Sequence, residues 1–332
     1  MSTTHAEHTD ALRAAGLDPA DPAAAIAAVA DRVSNWGRWG DDDVLGTLNL
    51  LTEAKRVEGA RCVRRGVSFS LSQAFDMDGP QRGWRRRTNP VHTMLDTGRE
   101  ALDGEFPHGL GGADDVIAMP LQCSTQWDGL GHIFDRGRAW NGRAAADVVT
   151  SAGDRVTGIE TAVSRMAGRG VLLDVGRVVG DDGELPDGHP ITADELEATR
   201  AAHGVALGEG DMVCVRTGQY ARTRREGWGT YAGGPAPGLS FTTADWLHDT
   251  GIAALATDTW GMEVRPNEFD VAFQPLHQIA IPHLGLFLGE MWDLDALAAD
   301  CRADGIHDFW LTAAPLRITG AVGSPLNPIA VK

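Results

Sequence analysis

Apolar and polar positions follow one another in short blocks that predict a mixed α and β fold. Four runs of apolar and β-branched residues, bounded by Gly, Pro or Asp, predict buried strands at 66–71, 170–175, 211–216 and 253–257. Helices are predicted at 242–250 and at 192–203, where Thr192 is followed three residues later by Glu195, as in a capping box. We therefore expect a core carried by strands with helices between them.

The chain is predicted to consist of an N-terminal extension, residues 1–34, and one domain, residues 35–332. Residues 19–33 are rich in alanine, and Asp21 followed by Pro22 is a typical start of a helix. This helix is expected to lie outside the main core as a leader. Within the domain, the long polar stretch 77–108 predicts a functional lid or an oligomer arm.

Composition and charge narrow the class of function. The 332 residues include 29 Lys+Arg and 46 Asp+Glu, a formal net charge of −17, and 43% of them are hydrophobic. Such a charge repels phosphate backbones, so we expect a small-molecule substrate and no nucleic acid as a partner.

Neither an apolar run of about 18 residues nor a secretory signal is found, which predicts a cytoplasmic protein without membrane association. The cysteines form no CxxC pair, which predicts buried free thiols: Cys62, Cys123, Cys214 and Cys301.

The densest group of polar side chains lies at residues 122–132, with the sequence Gln-Cys-Ser-Thr-Gln-Trp-Asp-Gly-Leu-Gly-His. Alternate residues of a strand share one face, so two amide oxygens and a carboxylate could converge on a metal or a substrate from Gln122, Ser124, Gln126 and Asp128. The glycines after Asp128 permit a turn that returns His132 to the same point. The structural alternative is a polar strand end with a capping Asp and a surface His.

A second group lies in the apolar stretch 277–290, where His277, His283 and Glu290 interrupt buried residue types. Burial of an unpaired charge is costly, so Glu290 is at the surface, paired, or bound to a cation. Either histidine alone is more often a core residue than a ligand. With Asp128, however, His277 and Glu290 would supply one imidazole and two carboxylates, a set that suits Zn²⁺, Mn²⁺ or Fe²⁺.

A third group consists of two acidic residues, Asp258 and Glu263, which follow the strand predicted at 253–257. The end of a strand is a common position for site residues, although turn formation and a solvated Glu explain the pair equally well. The sequence contains no P-loop, GxSxG, HExxH or GxGxxG motif followed by a helix, so nucleotide-dependent chemistry is not supported.

The segment 122–132 resembles the motif of the metal-dependent cyclase and kynurenine formamidase-like hydrolases, a family that includes the isatin hydrolases. Their motif is His-x-Gly-Thr-His-x-Asp-x-Pro-x-His, and its positions fall here on Gln122, Ser124, Thr125, Gln126, Asp128, Leu130 and His132. Both motif histidines that precede the Asp are therefore glutamines in this chain. Further family-like segments are 35–49, 168–175 and 210–218, so that the resemblance spans roughly residues 35–320.

The resemblance implies an α/β fold of mixed α+β type, the swivelling β/β/α fold with a central β core flanked by helices, in a homodimer or homotetramer. It also implies a divalent metal, Mn²⁺ or Zn²⁺, that activates water for attack on an amide, lactam or lactone carbonyl. Residues 35–332 would then form a single cyclase-like catalytic domain. The family's metal ligands and proton-transfer histidine map onto Asp128, His277, Glu290 and His132.

The two glutamines alter the expected metal site. Gln126 and Gln122 would offer amide oxygens in place of imidazoles, so a second metal is not expected and Mn²⁺ or Mg²⁺ is favoured more than in the parent site. Substrate contacts are expected from the remaining polar and aromatic side chains of the family-like segments, Trp127, Thr125, Asp258 and Glu263. Stacking of a flat substrate on Trp127 competes with the commoner fate of burial.

Two other functions remain open at this stage. Loss of both histidines could mark a metal-free cyclase or dehydratase that uses Asp128, Glu263 and His132 as acid and base. A small-molecule binding protein without catalytic activity, built on the same scaffold, is the third interpretation. Bound metal separates the hydrolase from both alternatives.

Overall fold

A computed structural model gives the fold for residues 3–104, 106–269 and 271–332. The strands in these ranges are β1 (Ser68–Ser70), β2 (Val91–Met94), β3 (Asp115–Ala118), β4 (Gln126–Asp128), β5 (Val149–Thr150), β6 (Gly153–Asp154), β7 (Ala167–Asp174), β8 (Pro190–Ile191), β9 (Met212–Arg216), β10 (Gly238–Leu239), β11 (Ala254–Thr257), β12 (Phe287–Glu290), β13 (Asp308–Thr312), β14 (Gly323–Pro325) and β15 (Ile329–Val331). The α-helices are α1 (Thr3–Ala14), α2 (Pro22–Val33), α3 (Glu53–Ala60), α4 (Gly98–Leu102), α5 (Ala145–Val148), α6 (Val175–Val178), α7 (Ala193–Ala202), α8 (Gln219–Glu226), α9 (Ala244–Thr250), α10 (His277–Ile279) and α11 (Asp295–Asp304).

Nine of the strands form one large sheet in the order β1-β15-β13-β7-β9-β11-β12-β4-β14. Its centre, β7-β9-β11-β12, is parallel, and every pairing outside that centre is antiparallel. The four strands predicted from the sequence correspond to β1, β7, β9 and β11. The helix predicted at 192–203 is α7, and Thr192 and Glu195 form the expected capping box. The mixed α/β class with a central sheet and flanking helices is therefore confirmed.

Alternation along the central strands creates one apolar core on each face of the sheet. In β7, Leu173 belongs to one core and Leu172 to the other. In β12, Leu288 and Phe287 divide in the same way. Two-sided burial explains why the parallel strands read as continuous apolar runs in the sequence.

The helix α2 corrects the expectation of a leader outside the core. Its start is as predicted, because Asp21 accepts a hydrogen bond from the backbone N–H of Ala24 and Pro22 occupies the first turn. Its apolar face, however, lies in the first of the two cores, with Ile26 and Val29 buried. Spacing of three to four residues between the buried positions gives the helix one continuous apolar stripe, which packs against α9 and α10.

The stretch 77–108 is divided between two environments. Residues 77–90 pack next to β4, since the Gln81 side chain donates a hydrogen bond to the backbone oxygen of Cys123. The following strand β2 pairs with β3 in a separate two-stranded sheet, and the residues of both strands are exposed. The four cysteines are buried free thiols, as predicted. Among the helices of the described ranges, none has the length and apolar character needed to cross a membrane.

Candidate functional site

The candidate site lies where the antiparallel strands β4 and β12 meet. In their register Glu290 pairs with Gln126, and Leu288 pairs with Asp128. Residues directly opposite each other in a sheet point to the same face, and so do residues two apart. The side chains of Gln126, Asp128 and Glu290 therefore share one face of the sheet, although they come from segments more than 150 residues apart.

His277 reaches the same place from the start of α10. Glu263 accepts hydrogen bonds from the backbone N–H groups of Leu276 and His277, at 3.1 Å each, and so holds the beginning of this helix. The same carboxylate lies 2.5 Å from His277 Nδ1. This contact fixes the orientation of the imidazole and directs Nε2 toward the sheet, where Glu290 Oε1 is 3.0 Å away.

Asp128, His277 and Glu290 form a buried cluster that could hold a metal ion. Each residue offers one ligand atom, and the three atoms lie within 4.8 Å of one another. Gln126 links the two carboxylates, because its Nε2 donates to Glu290 Oε2 at 2.8 Å and to Asp128 Oδ1 at 3.2 Å. The sequence analysis selected this combination of imidazole and carboxylates, and the fold brings it together.

Burial and the charges in this cluster strongly shift the pKa values of Asp128 and His277. Burial raises the pKa of Asp128 to about 7, and the neighbouring Glu290 carboxylate adds to the rise. Burial alone would lower the pKa of His277, but hydrogen bonds to Glu263 and Glu290 outweigh it and raise that pKa to about 10. Two carboxylates that repel each other in a buried place create a strong preference for a proton or a cation.

His132 lies beside Asp128, as the glycines after the strand suggested. Its Nε2 is 3.7 Å from Asp128 Oδ1. Burial lowers the pKa of His132 well below its usual value, and Arg87 and Arg85 lower it further. The imidazole is therefore neutral at physiological pH and able to accept a proton.

The strand β4 is shorter than expected, which changes the position of two predicted residues. It begins at Gln126, so Gln122 and Ser124 lie in the preceding turn and do not continue the face shared by Gln126 and Asp128. Ser124 accepts a hydrogen bond from the side chain of Gln73. Gln122 lies against the backbone of Gly323, and its buried Nε2 has no hydrogen-bond partner in the part of the chain described.

Trp127 and Thr125 lie in the interior, and substrate contacts from them stay a prediction. Trp127 alternates with Gln126 and Asp128 and so points to the opposite face of the sheet. There its Nε1 donates to the backbone oxygen of Ala313 at 2.7 Å, and its ring packs edge-on against Trp292. The Thr125 hydroxyl donates to the Met291 backbone oxygen and is fully buried.

Asp258 and Glu263 are both hydrogen-bonded to groups of the protein, and substrate contacts from them stay a prediction. Asp258 accepts three hydrogen bonds of 2.8 Å, two from Thr217 and one from the backbone N–H of Gly218, and thereby fixes the loop after β9. Glu263 has both oxygens engaged by α10 and its His277 side chain. Both carboxylates are thus positioning residues that are committed to protein groups.

Sequence reasoning missed three residues near the cluster. Gln274 Nε2 lies 3.4 Å from His277 Nε2. Arg85 and Arg87 act electrostatically on Asp128 and His132. The run Arg85, Arg86, Arg87 stands out in an acidic chain and could have been read as an anion site, but nothing in the sequence places it next to residues 126–132.

Comparison with known proteins identifies the family. The sequence model of the family described as "Putative cyclase" matches residues 47–264, which include segment 122–132 and end before His277. A crystal structure described as a novel cyclase is 38% identical, with a TM-score of 0.83, and the alignment covers 90% of this chain and 100% of that chain. This chain belongs to the cyclase family, which confirms the resemblance noted from the sequence.

More distant structures share the fold. Isatin hydrolase A from Labrenzia aggregata, solved with benzyl benzoate bound, is 18% identical, with a TM-score of 0.59 and coverage of 82% of this chain and 96% of that chain. A structure described as a predicted metal-dependent hydrolase from Bacillus stearothermophilus is 16% identical, with a TM-score of 0.50 and coverage of 80% and 98%. No curated protein matches this chain significantly.

Proposed function

We propose that this protein is a metal-dependent hydrolase that cleaves an amide, lactam or lactone carbonyl of a small molecule. The observation that carries the proposal is the buried cluster of Asp128, His277 and Glu290, whose ligand atoms lie within 4.8 Å of one another. Hydrolases among the structural neighbours with the same fold support the class of reaction.

The cluster fits a divalent cation. Asp128 and Glu290 repel each other in a buried environment, and a cation would relieve the repulsion that raises the pKa of Asp128. Glu263 holds His277 from the far side, as a carboxylate that accepts a hydrogen bond from a metal-bound histidine does. Gln126 Oε1 is buried without a hydrogen-bond partner among the described residues, so this amide has an acceptor to spare. Oxygen-rich ligands favour Mn²⁺, with Zn²⁺ as the other candidate.

Each residue then has a definite task. Asp128, His277 and Glu290 would hold the metal, which lowers the pKa of a water molecule and polarises the substrate carbonyl when bound. His132, neutral and adjacent to Asp128, accepts the proton of the attacking water and delivers it to the leaving nitrogen or oxygen. Glu263 keeps the imidazole of His277 in one orientation.

The decisive test is metal analysis of the purified protein before and after chelation, with Mn²⁺ and Zn²⁺ binding isotherms. Wild type is expected to bind close to one metal per chain, and Asp128→Asn to lose it. Glu268→Gln is the matched control, since burial raises the pKa of Glu268 to about 7 as well, outside the cluster. Retention of metal by Asp128→Asn, or its loss from Glu268→Gln, would contradict the assignment. Metal-dependent turnover in a panel of amides, lactams and lactones completes the test.

A second candidate is a metal-free acid–base enzyme of cyclase or dehydratase type. It is favoured by the closed network in which Gln126 donates to both carboxylates and His277 bridges Glu263 and Glu290. A carboxyl group with a pKa near 7, as for Asp128, is well suited to proton transfer. Turnover that survives complete chelation would establish this candidate in place of the first.

A further inference from the structure

His132 lies between two anchored points of the chain. On the upstream side, Gly131 packs so closely on Asp154 that a Cβ at this glycine would overlap the carboxylate. On the downstream side, Asp135 exchanges two backbone hydrogen bonds with Arg138, of 2.9 and 2.7 Å, in a tight hairpin. Only two residues separate His132 from Asp135, so the position of the imidazole depends on what holds Asp135.

The side chain of Asp135 is buried and bonded to α10 and to the turn that follows this helix. It is 1% exposed, and its Oδ1 accepts a hydrogen bond from Gln278 Nε2 at 2.6 Å. Its Oδ2 lies 2.9 Å from His283 Nε2. Burial opposes ionisation, but the hydrogen bonds that this carboxyl accepts outweigh it and lower the pKa of Asp135. A carboxylate can only accept, so His283 Nε2 carries a proton and donates it.

A π-helical turn, Ala280–Leu284, lets these two donors reach one carboxylate. Residues five apart point about 140° away from each other on an α-helix of about 3.6 residues per turn. Here the turn is closed by a hydrogen bond between residues five apart, where an α-helix uses residues four apart. The wider turn brings Gln278 and His283 to the same side. It stands between His277 and Glu290, two residues of the cluster.

Asn35 and Trp36 hold this turn from its other side. The Asn35 backbone N–H donates to the His283 oxygen at 2.9 Å, and its side chain donates to the Leu284 oxygen at 3.0 Å. The ring of Trp36 stacks on the imidazole of His283, with centroids 4.7 Å apart and an angle of 17° between the planes. His283 therefore cannot turn away from Asp135 without losing this stack.

We propose that Asp135 is a positioning residue that fixes His132 relative to the buried cluster on β4, β12 and α10. Its carboxylate joins the segment of His132 to the turn between two cluster residues, so that the two segments cannot shift independently. Misplacement of a reacting group by about 1 Å can cost about 10²-fold in rate. Glu263 already holds the beginning of α10, so metal binding should not depend on Asp135. The role of His132 rests on the proposed hydrolase function, whereas the link between the two segments does not.

The first test compares kcat and metal content of wild type, Asp135→Ala and Asp135→Asn, with a substrate found in the screen. Asp135→Ala removes both acceptor oxygens, so kcat should fall about 10²-fold while metal content stays at the wild-type level. Asp135→Asn should keep kcat close to wild type, because its oxygen accepts from His283 and the Gln278 amide can turn to accept from its NH₂ group. Rescue by an uncharged residue of the same shape identifies hydrogen bonding as the means of positioning.

Backbone hydrogen exchange of the metal-free protein, read by mass spectrometry, tests the link without turnover. In Asp135→Ala, exchange should rise together in residues 129–138 and 277–284 and stay at the wild-type level elsewhere. Asp211→Ala is the matched control, because Asp211 is also fully buried and accepts from an arginine side chain, that of Arg169, and from the backbone N–H of Gly208. It should leave kcat and both segments unchanged.

Wild-type kcat in Asp135→Ala would overturn the proposal. So would an Asp135→Asn variant as slow as Asp135→Ala, or a rise in exchange confined to one of the two segments. If Asp135→Ala does not fold, His283→Phe carries the same test, since phenylalanine keeps the stack on Trp36 and lacks the donor; an unchanged kcat there overturns the proposal. A wild type without turnover would refute the hydrolase, and a joint rise in exchange would then retain the link between the two segments.

Discussion

Two buried carboxylates, Asp128 at the end of β4 and Asp258 directly after β11, lie at the ends of strands of the same sheet and are satisfied in opposite ways. Asp258 receives three hydrogen bonds of 2.8 Å from Thr217 and Gly218, and Arg216 lies nearby. Asp128 receives one hydrogen bond, of 3.2 Å from Gln126, and its Oδ2 has no donor among the described residues. Burial raises both pKa values, to about 6 for Asp258 and about 7 for Asp128.

The contrast separates a carboxylate that is fully hydrogen-bonded by the protein from one that is short of hydrogen-bond donors. Each is an Asp at the carboxyl end of a strand, and both are almost completely buried. They differ in the number of protein donors around them and in the charge of their neighbours, Arg216 for one and Glu290 for the other. A carboxylate left short of donors beside a second carboxylate is stabilised by a proton or a cation.

The largest effect is expected at His132, whose Nε2 lies 3.7 Å from Asp128 Oδ1. His132→Ala should lower kcat about 10²- to 10⁴-fold, the range of a general acid–base residue, because no other neutral imidazole contacts Asp128 in the described part of the chain. Metal content should stay at the wild-type level, since His132 is outside the ligand set. Steady-state kinetics with a substrate found in the screen, and metal analysis of the same samples, measure both.

His189→Ala is the control for this experiment. His189 is half-buried, and its ring is paired with Glu195 in the first turn of α7. It is not part of the cluster, so its removal should leave kcat unchanged. Normal turnover of His132→Ala would show that another group transfers the proton. The comparison of Asp128 with Asp258 would then have to be decided by the variants of these two residues themselves.

The next effect is a difference in the free energy of unfolding between variants of the two carboxylates. Asp258→Asn replaces an acceptor oxygen by an NH₂ group that faces N–H donors, and should lower the free energy of unfolding by about 2 to 3 kcal/mol. Asp128→Asn, the matched change, removes a charge that Glu290 repels and should leave stability at pH 7 unchanged or higher. Urea unfolding of chelator-treated proteins measures both. A loss of similar size in the two variants would mean that Asp128 is as structural as Asp258.

The sequence predicted the cluster better than its surroundings. His277 and Glu290 could be selected because burial of such groups in an apolar run requires a partner or a cation, and Asp128 because it stands in the densest polar group of the chain. The central strands could be predicted for a related reason, since two-sided burial leaves continuous apolar runs. Trp127 is buried on the face of β4 opposite Asp128, which alternation along the strand implies and which is the commoner fate noted for it above.

Other features depend on distant contacts that no local pattern records. Asp258 is satisfied by Thr217 and Gly218, about 40 positions earlier in the chain, and nothing near it in sequence indicates this. The core position of α2 likewise required knowledge of the face that it packs against.

The smallest effect is a pH dependence that isolates Asp128. In the folded protein without metal its carboxyl binds a proton up to about pH 7, whereas its usual pKa is 3.8. Between these values the folded state binds more protons than the unfolded state, so this group makes stability fall as pH rises from about 4 to about 7. Asp258 contributes in the same direction up to about pH 6, but equally in wild type and Asp128→Asn, so it cancels in their difference. The stability of Asp128→Asn relative to wild type should therefore rise across pH 4 to 7 and level off above it. Urea unfolding of chelated samples at several pH values gives this difference, and a constant value from pH 4 to 8 would show that Asp128 is ionised in the fold and as well satisfied as Asp258.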